Sequence, residues 1–499
     1  MKGWQTWTRV AAIVVLVTAA SRPGIAPLPT RSVVPPHLGY GVNLRHLSNI
    51  ASIFAPLDYQ WIKVYERFDS MPTEQLPYYV LYRIDINHGD RWLWMDWRPH
   101  RPDLDRIRDD VRQIAQDGLG LVDAYEIGNE PNMDWEWMDQ PPDPADYVAV
   151  LQVAYDAIKE VDPGAIVVSG GLGPVGRIQG TCTANSGEVY SSGNNCSAMD
   201  EREYAREMLS RGAGDYFDAF GYHPCGFAYP PELALDELPE HDNGNGFAFR
   251  GAEVMHGIME EFGLGEKPIW ATEFGWLRDP SEDGVGWCHG EDDFAGAEWF
   301  DLPEVQQADY LTRAFQYADE NWPWMGAMFV WALDFQQQGA QCWPGRFFSV
   351  RKDNGTEAGA PTLAYSALAA MPKRHGHFGP RLAVEPAGLT FLADVDEPDV
   401  FAGTLTVLNT GYQVLTWTVT VAQGMQVTPT LAITTGLQGT PLRVTVDSTG
   451  YVTGTFTGAI TVTATTTDVL DTPQTVPITL LVVPEVYHVY LPATLRSTP

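Results

Sequence analysis

Positive charge is scarce in this sequence: 31 Lys and Arg stand against 64 Asp and Glu, a formal net charge of −33. Binding nucleic acid needs a basic footprint, so no nucleic-acid partner is expected. The same excess repels polyanionic ligands at long range and favours neutral ones. Apolar runs long enough to cross a bilayer are also missing. The run VAAIVVLVTAA at 10–20, behind Lys2 and Arg9, is short and ends in small residues. It reads as a secretory signal over 1–20, and no membrane association is expected after cleavage. No glycine-rich phosphate turn follows the first predicted strand, which argues against a dinucleotide-binding sheet. The acidic loops SEDGVGWCHGEDD (281–293) and DELPEHD (236–242) lack the spacing of a known calcium loop, so no metal is expected, nor any other cofactor. Cysteine is sparse, at five. In an exported chain Cys182 and Cys196, which bracket a Gly/Ser/Asn-rich loop, are the first expected disulfide. Cys288 and Cys342 are the second, leaving Cys225 free. Long internal repeats and low-complexity tracts are absent.

What is present is ample core-building material. The chain is 44% hydrophobic and 12% aromatic over 499 residues, enough for two or three domains of roughly 100–200 residues each. A Pro-rich lead-in covers 22–37. Eight apolar strand-like runs follow, at 38–43, 61–65, 78–86, 124–128, 165–169, 219–222, 268–272 and 327–333. Helix-like segments at 102–117, 144–161, 200–212, 249–262 and 303–321 lie between them. Eight strands alternating with helices predict an α/β architecture, a (β/α)8 TIM barrel over 38–372. Near residue 376 the composition changes. After a basic, Gly/Pro-marked linker (373–381), Thr and Val dominate alternating runs such as LTWTVTVA and FTGAITVTATT. These predict an all-β Ig-like sandwich over 382–483, followed by a tail at 484–499.

Two strands end on glutamates. DAYEIGNEPN (123–132) stops at Asn129-Glu130-Pro131, and PIWATEFGW (268–276) reaches Glu273. In a barrel of parallel strands both face the rim where chemistry sits. Paired carboxylates there suit hydrolysis of a glycosidic bond: one is the protonated acid, the other attacks or activates water. Asn129 is placed to bond a sugar 2-hydroxyl. Tyr222 and His223 end the sixth strand, and Trp331 in the eighth offers a flat face to a sugar ring. Tryptophans also gather in the loops after the strands: Trp92, Trp94, Trp97, Trp135, Trp137, Trp276, Trp287, Trp299 and Trp343. Of these Trp94, Trp97 and Trp276 are the chosen candidates for stacking on pyranose faces.

YEIGNEPN, GYHP, ATEFGW and the tryptophan of the eighth strand, in that order, resemble the clan A retaining glycoside hydrolases, notably family 39 and the family 5 cellulase-like enzymes. The resemblance implies Glu130 as acid/base and Glu273 as nucleophile, with Asn129, His223 and Trp331 as substrate contacts. Tyr222 or His223 is the partner near the nucleophile, and Arg45 or Arg83 fills the place of an early-strand arginine. It implies carboxyl groups about 5–5.5 Å apart, against about 6.5–9.5 Å for inversion. LAVEPAGLTF and LTVLNTGYQVLTWTV resemble the BACON-type Ig-like modules of secreted carbohydrate-active proteins; there Trp417 is expected to be buried and the module to act as a spacer. The expectation is a secreted, monomeric hydrolase of β-linked oligo- or polysaccharides. Transglycosylation at the same glutamates and a non-catalytic glycan-binding protein are the alternatives.

Overall fold

The computed structural model describes residues 36–47, 50–95, 98–178, 180–191, 196–239, 242, 244–335, 341–352, 359–422, 424–435 and 439–486. The expected signal, most of the lead-in, Trp97 and all but the first three residues of the expected tail lie outside them.

Eight short strands form one parallel sheet: β1 (Gly39–Asn43), β2 (Trp61–Tyr65), β3 (Tyr79–Ile84), β4 (Ala124–Ile127), β5 (Ile166–Ser169), β6 (Phe220–Tyr222), β7 (Ile269–Phe274) and β8 (Met325–Val330). The sheet order runs β6–β7–β8–β1–β2–β3–β4–β5. Parallel bridges Val168–Ala219 and Leu172–Tyr222 bring its two ends together. The result is a nearly closed TIM-like barrel.

The helices on its outside are α1 (Ile50–Phe54), α2 (Leu104–Asp117), α3 (Pro144–Val161), α4 (Glu201–Ser210), α5 (Gly251–Glu261), α6 (Glu304–Asn321) and α7 (Leu363–Ala370). Their starts are written locally. Asp143 accepts the Ala145 and Asp146 N–H groups, and Pro144 fills the first turn of α3. Strict strand–helix alternation fails at one point. Among the described residues the β2–β3 connection holds only a 3-10 turn, Glu66–Phe68, because the buried Glu66 and the chain around it are tied to Asp85 and Arg91 instead of forming a helix.

Period-2 alternation decides what fills the barrel. Trp61, Leu81, Ala124, Ile166, Val168, Ala219, Trp270, Ala327 and Phe329 point inward and form an apolar floor at the N-terminal end. Gly41 is required there, since a Cβ on it would meet the Phe329 ring at 2.5 Å. Two residues further along β1 to β4 the inward set turns polar, with Asn43, Lys63, Arg83 and Glu126, and His223 just past β6 joins it, all buried.

Nine strands follow in two sheets. The four-stranded sheet comprises β9 (Leu382–Glu385), β11 (Val400–Asn409), β15 (Thr440–Asp447) and β13 (Met425–Thr428). The five-stranded sheet comprises β10 (Leu389–Asp394), β17 (Gln474–Val483), β16 (Gly454–Ala464), β12 (Val414–Val421) and β14 (Leu431–Thr435). Their alternating apolar residues share one core. Trp417 is buried in it and donates its indole N–H to Thr434 Oγ1 at 2.9 Å. The linker is not a free tether. Phe378 enters the barrel floor edge-on to Trp61 at 5.1 Å and stacks on Tyr412 at 5.3 Å.

Candidate active site

The turn after β4 is built around backbone that few side chains tolerate. Gly128 has φ +80° and Glu130 φ +44°, the left-handed region that disfavours non-glycine residues. Every residue of the turn is held. Glu130 N–H donates to Gly171 O at 2.8 Å, and Met133 N–H to Glu130 O at 2.9 Å. Asn132 pairs with both the N–H and the C=O of Gly173, and Trp137 Nε1 donates to Pro131 O at 2.6 Å. The Glu130 carboxyl is thereby aimed across the barrel mouth with 21% of its side chain exposed.

Glu273 lies within β7 rather than just beyond it. An irregularity against β8 between Ala271 and Phe274 breaks the two-residue alternation there, as a bulge does, so Thr272 and Glu273 both serve the interior. Lys63 Nζ contacts Glu273 Oε1 at 3.0 Å and Arg83 Nη1 lies 3.7 Å from the same oxygen. Burial pushes the Glu273 carboxyl up, but Lys63, then His223 and Arg83, outweigh it and hold it below the usual carboxylate range.

His223 joins the two acids. Its Nδ1 is 3.0 Å from Glu130 Oε1 and 4.0 Å from Glu273 Oε2, so those two oxygens are separated by no more than the sum, about 7 Å. Its Nε2 meets Thr272 Oγ1 at 3.1 Å, which fixes the ring. Asn129 accepts from Arg83 Nη1 at 2.7 Å through Oδ1. Trp331 is half-buried at the end of β8, against Phe335 with centroids 4.3 Å apart. Trp94 is 59% exposed on the hairpin Trp92–Met95/Arg98–Pro102.

Two candidates are corrected. Tyr222 is buried with its hydroxyl turned outward to the start of α5, where a Cβ on Gly251 would lie 2.8 Å from it; strand alternation gives the interior to His223. Trp276 has no exposed surface. Its Nε1 is bonded to Tyr229 O at 2.8 Å and its ring packs on Phe249 and Tyr310, so it presents no face to a ligand. Trp92 and Trp137 likewise pack on each other inside the core. Arg83, not Arg45, reaches Glu273; Arg45 lies over Phe68.

Three members of the site escaped sequence reasoning. Lys63 in WIKVY and Glu126 in AYEI each stand as a lone charge inside a buried strand, a signal that marks an inward polar layer. Glu136, on the 3-10 turn Asp134–Trp137, is buried and accepts the Asn129 N–H at 3.2 Å.

Cys182–Cys196 and Cys288–Cys342 are disulfides, and Cys225 is free. Among the described residues one group has metal-ligand geometry, Asp279, His289 and Asp301, with ligand atoms within 4.8 Å of one another. His289 Nε2 already bonds Asp301 Oδ2 at 2.5 Å, and that ion pair accounts for the grouping. A cavity of about 500 Å³ lined by Tyr59, Gln60, Tyr78 and Asp123 opens at the N-terminal ends of β2–β4, away from both glutamates.

No protein-family model matches the sequence, and no curated protein matches it. Among solved structures, a family 128 subgroup I endo-β-1,3-glucanase from Amycolatopsis mediterranei in complex with laminaritriose is similar at 12% identity and TM-score 0.39, over 66% of this chain and 98% of that one. A β-glucuronidase from Bacteroides uniformis is similar at 10% identity and TM-score 0.37, over 87% of this chain and 43% of that one.

Proposed function

We propose that the chain is a secreted, retaining glycoside hydrolase acting on β-linked oligo- or polysaccharides. The observation that carries this reading is the unequal pairing of two carboxyls at one barrel mouth. Among the described residues Glu273 is paired with the cations Lys63 and Arg83, whereas the ion-pair partner of Glu130 is His223. An acid flanked by buried cations stays ionised and suits a nucleophile; an acid without them can carry a proton to a leaving group.

In the first step a Glu273 oxygen attacks the anomeric carbon as the bond to the leaving oxygen breaks, and Glu130 gives its proton to that oxygen. In the second step the Glu130 carboxylate takes a proton from water, whose oxygen attacks the anomeric carbon and releases the Glu273 carboxylate. Asn129 is placed to bond a hydroxyl of the reacting sugar, Trp331 to flank its ring, and Trp94 to meet a more distant unit. The two disulfides support an oxidising, extracellular setting.

The test is product analysis on xylan, mannan, β-glucan and aryl β-glycosides, with Glu273→Gln as control. Turnover that disappears in Glu273→Gln, with the first-formed sugar keeping the β configuration by NMR, supports the reading. An α product means inversion and removes the nucleophile role. Turnover that survives the substitution rejects the assignment of Glu273.

A further inference from the structure

Behind Asn129 lies a carboxyl that the proposed reaction does not use. Glu136 is buried, its Oε1 accepts the Asn129 N–H at 3.2 Å, and its Oε2 has no hydrogen-bond partner. A bare oxygen costs a buried carboxylate far more than a neutral carboxyl, because the charge as well as the polar atom goes unsolvated. The surrounding charges do not supply what is missing. From the C-terminal end of β3 come Asp85 and Arg83, from the turn Glu66–Phe68 comes Arg67, and from α3 comes Tyr147, whose hydroxyl is donated to Ile127 O at 2.9 Å. Both guanidiniums are paired with other groups, and Arg83 Nε has no hydrogen-bond partner. Arg67 takes Asp85 at 3.2 and 2.8 Å. Arg83 takes Asp85 at 2.9 Å and Asn129 at 2.7 Å. Burial and then Asp85 push Glu136 up to about 8, against the weaker pull of Arg83, Arg67 and the Asn129 N–H.

We propose that Glu136 is a positioning residue that supports the Asn129–Glu130 turn as a neutral carboxyl, and that its ionisation disables the cleft on the alkaline side. This rests on the reading of Glu130 and Glu273 given above. Glu136 grips the backbone of the residue next to Glu130, in a turn whose left-handed φ at Glu130 depends on such grips. Once ionised, it faces Asp85 across Arg83 and competes for that guanidinium. Arg83 holds the Asn129 side chain and lies 3.7 Å from Glu273 Oε1, so any shift of it reaches both sides of the reaction.

Two readouts on Glu136→Gln test this. The first is kcat/KM against pH for an aryl β-glycoside whose leaving group departs without protonation, which removes Glu130's proton from the measured step. The wild type is expected to fall about tenfold between pH 7 and pH 9, and Glu136→Gln to stay within about twofold. The same alkaline fall in both proteins overturns the proposal. The second readout needs no turnover. A carboxyl raised in the folded state stabilises fully below its unfolded value, and that contribution is lost as pH rises towards about 8. The melting temperature of Glu136→Gln relative to wild type should therefore increase from pH 5 to pH 8.5; a difference that stays constant overturns the neutral carboxyl. If Glu136→Gln does not fold, infrared spectra of the wild type across pH 6–9 decide. Loss of a protonated-carboxyl band with a midpoint near 8 supports the proposal, and no such band overturns it. Failure to cleave any glycoside would remove the hydrolase reading and with it the positioning role, while the melts still judge the protonation of Glu136.

Discussion

Lys63 Nζ lies 3.0 Å from Glu273 Oε1 and, on its other side, 2.7 Å from Glu126 Oε2. One buried ammonium is thus shared by two carboxyls, one from β4 and one from β7, and ties two sides of the barrel mouth together. Its removal takes the nearest cation from both acids in a low-dielectric interior. Lys63→Met is expected to cost about 3–5 kcal/mol of stability by denaturant unfolding. The carboxyl of Glu273, held low in the wild type, rises when Lys63 is gone. The stability it contributes above its unfolded value is then lost at a higher pH as pH falls. The acid limb of kcat/KM should move up in pH by the same mechanism, which a pH–rate profile measures.

His223 bonds Glu130 through one nitrogen and Thr272 through the other. On the proposed reading it positions Glu130 across the cleft. His223→Ala should lower kcat by roughly 10²-fold with little change in KM, the size of effect expected from misplacing a reacting group. Steady-state kinetics check this, and near-native far-UV circular dichroism excludes simple unfolding.

Cys225 follows His223 by two residues and is half-buried near both glutamates. Burial first, then the negative charges of Glu130 and Glu273, push its thiol up and keep it protonated. A protonated thiol is a poor nucleophile. Iodoacetamide at pH 8 should leave activity intact and Cys225 unmodified by mass spectrometry, and Cys225→Ser should remain active.

Phe378 plugs the barrel floor against Trp61 and Trp270 while Tyr412 covers it from the β domain. Phe378→Ala opens a cavity at that junction and should cost about 3–5 kcal/mol. The floor lies at the far end of the barrel from the glutamates, so activity per folded molecule should hold. Unfolding curves and active-site-normalised rates check the two halves of this prediction.

Apolar runs bounded by turn residues, and a shift to Thr/Val alternation, already implied an eight-stranded parallel barrel and a following β domain; strand and helix positions in the structure differ from those runs by a few residues at most. The two strand-end glutamates were legible for the same reason, because a carboxylate at the end of a buried strand is costly unless it is used. What sequence spacing does not encode is the third coordinate. The interior goes to His223 and not Tyr222 because alternation in β6 leaves only one of two neighbours facing in. Trp276 is buried because the β6–α5 connection and α6 close over it, which no local pattern announces. Lys63 and Glu126 lie far from Glu273 along the chain, and only closure of the sheet joins them to it. Local periodicity sets which face of a strand is apolar; which charges meet across a barrel depends on the register of eight strands at once, and only the tertiary structure determines that.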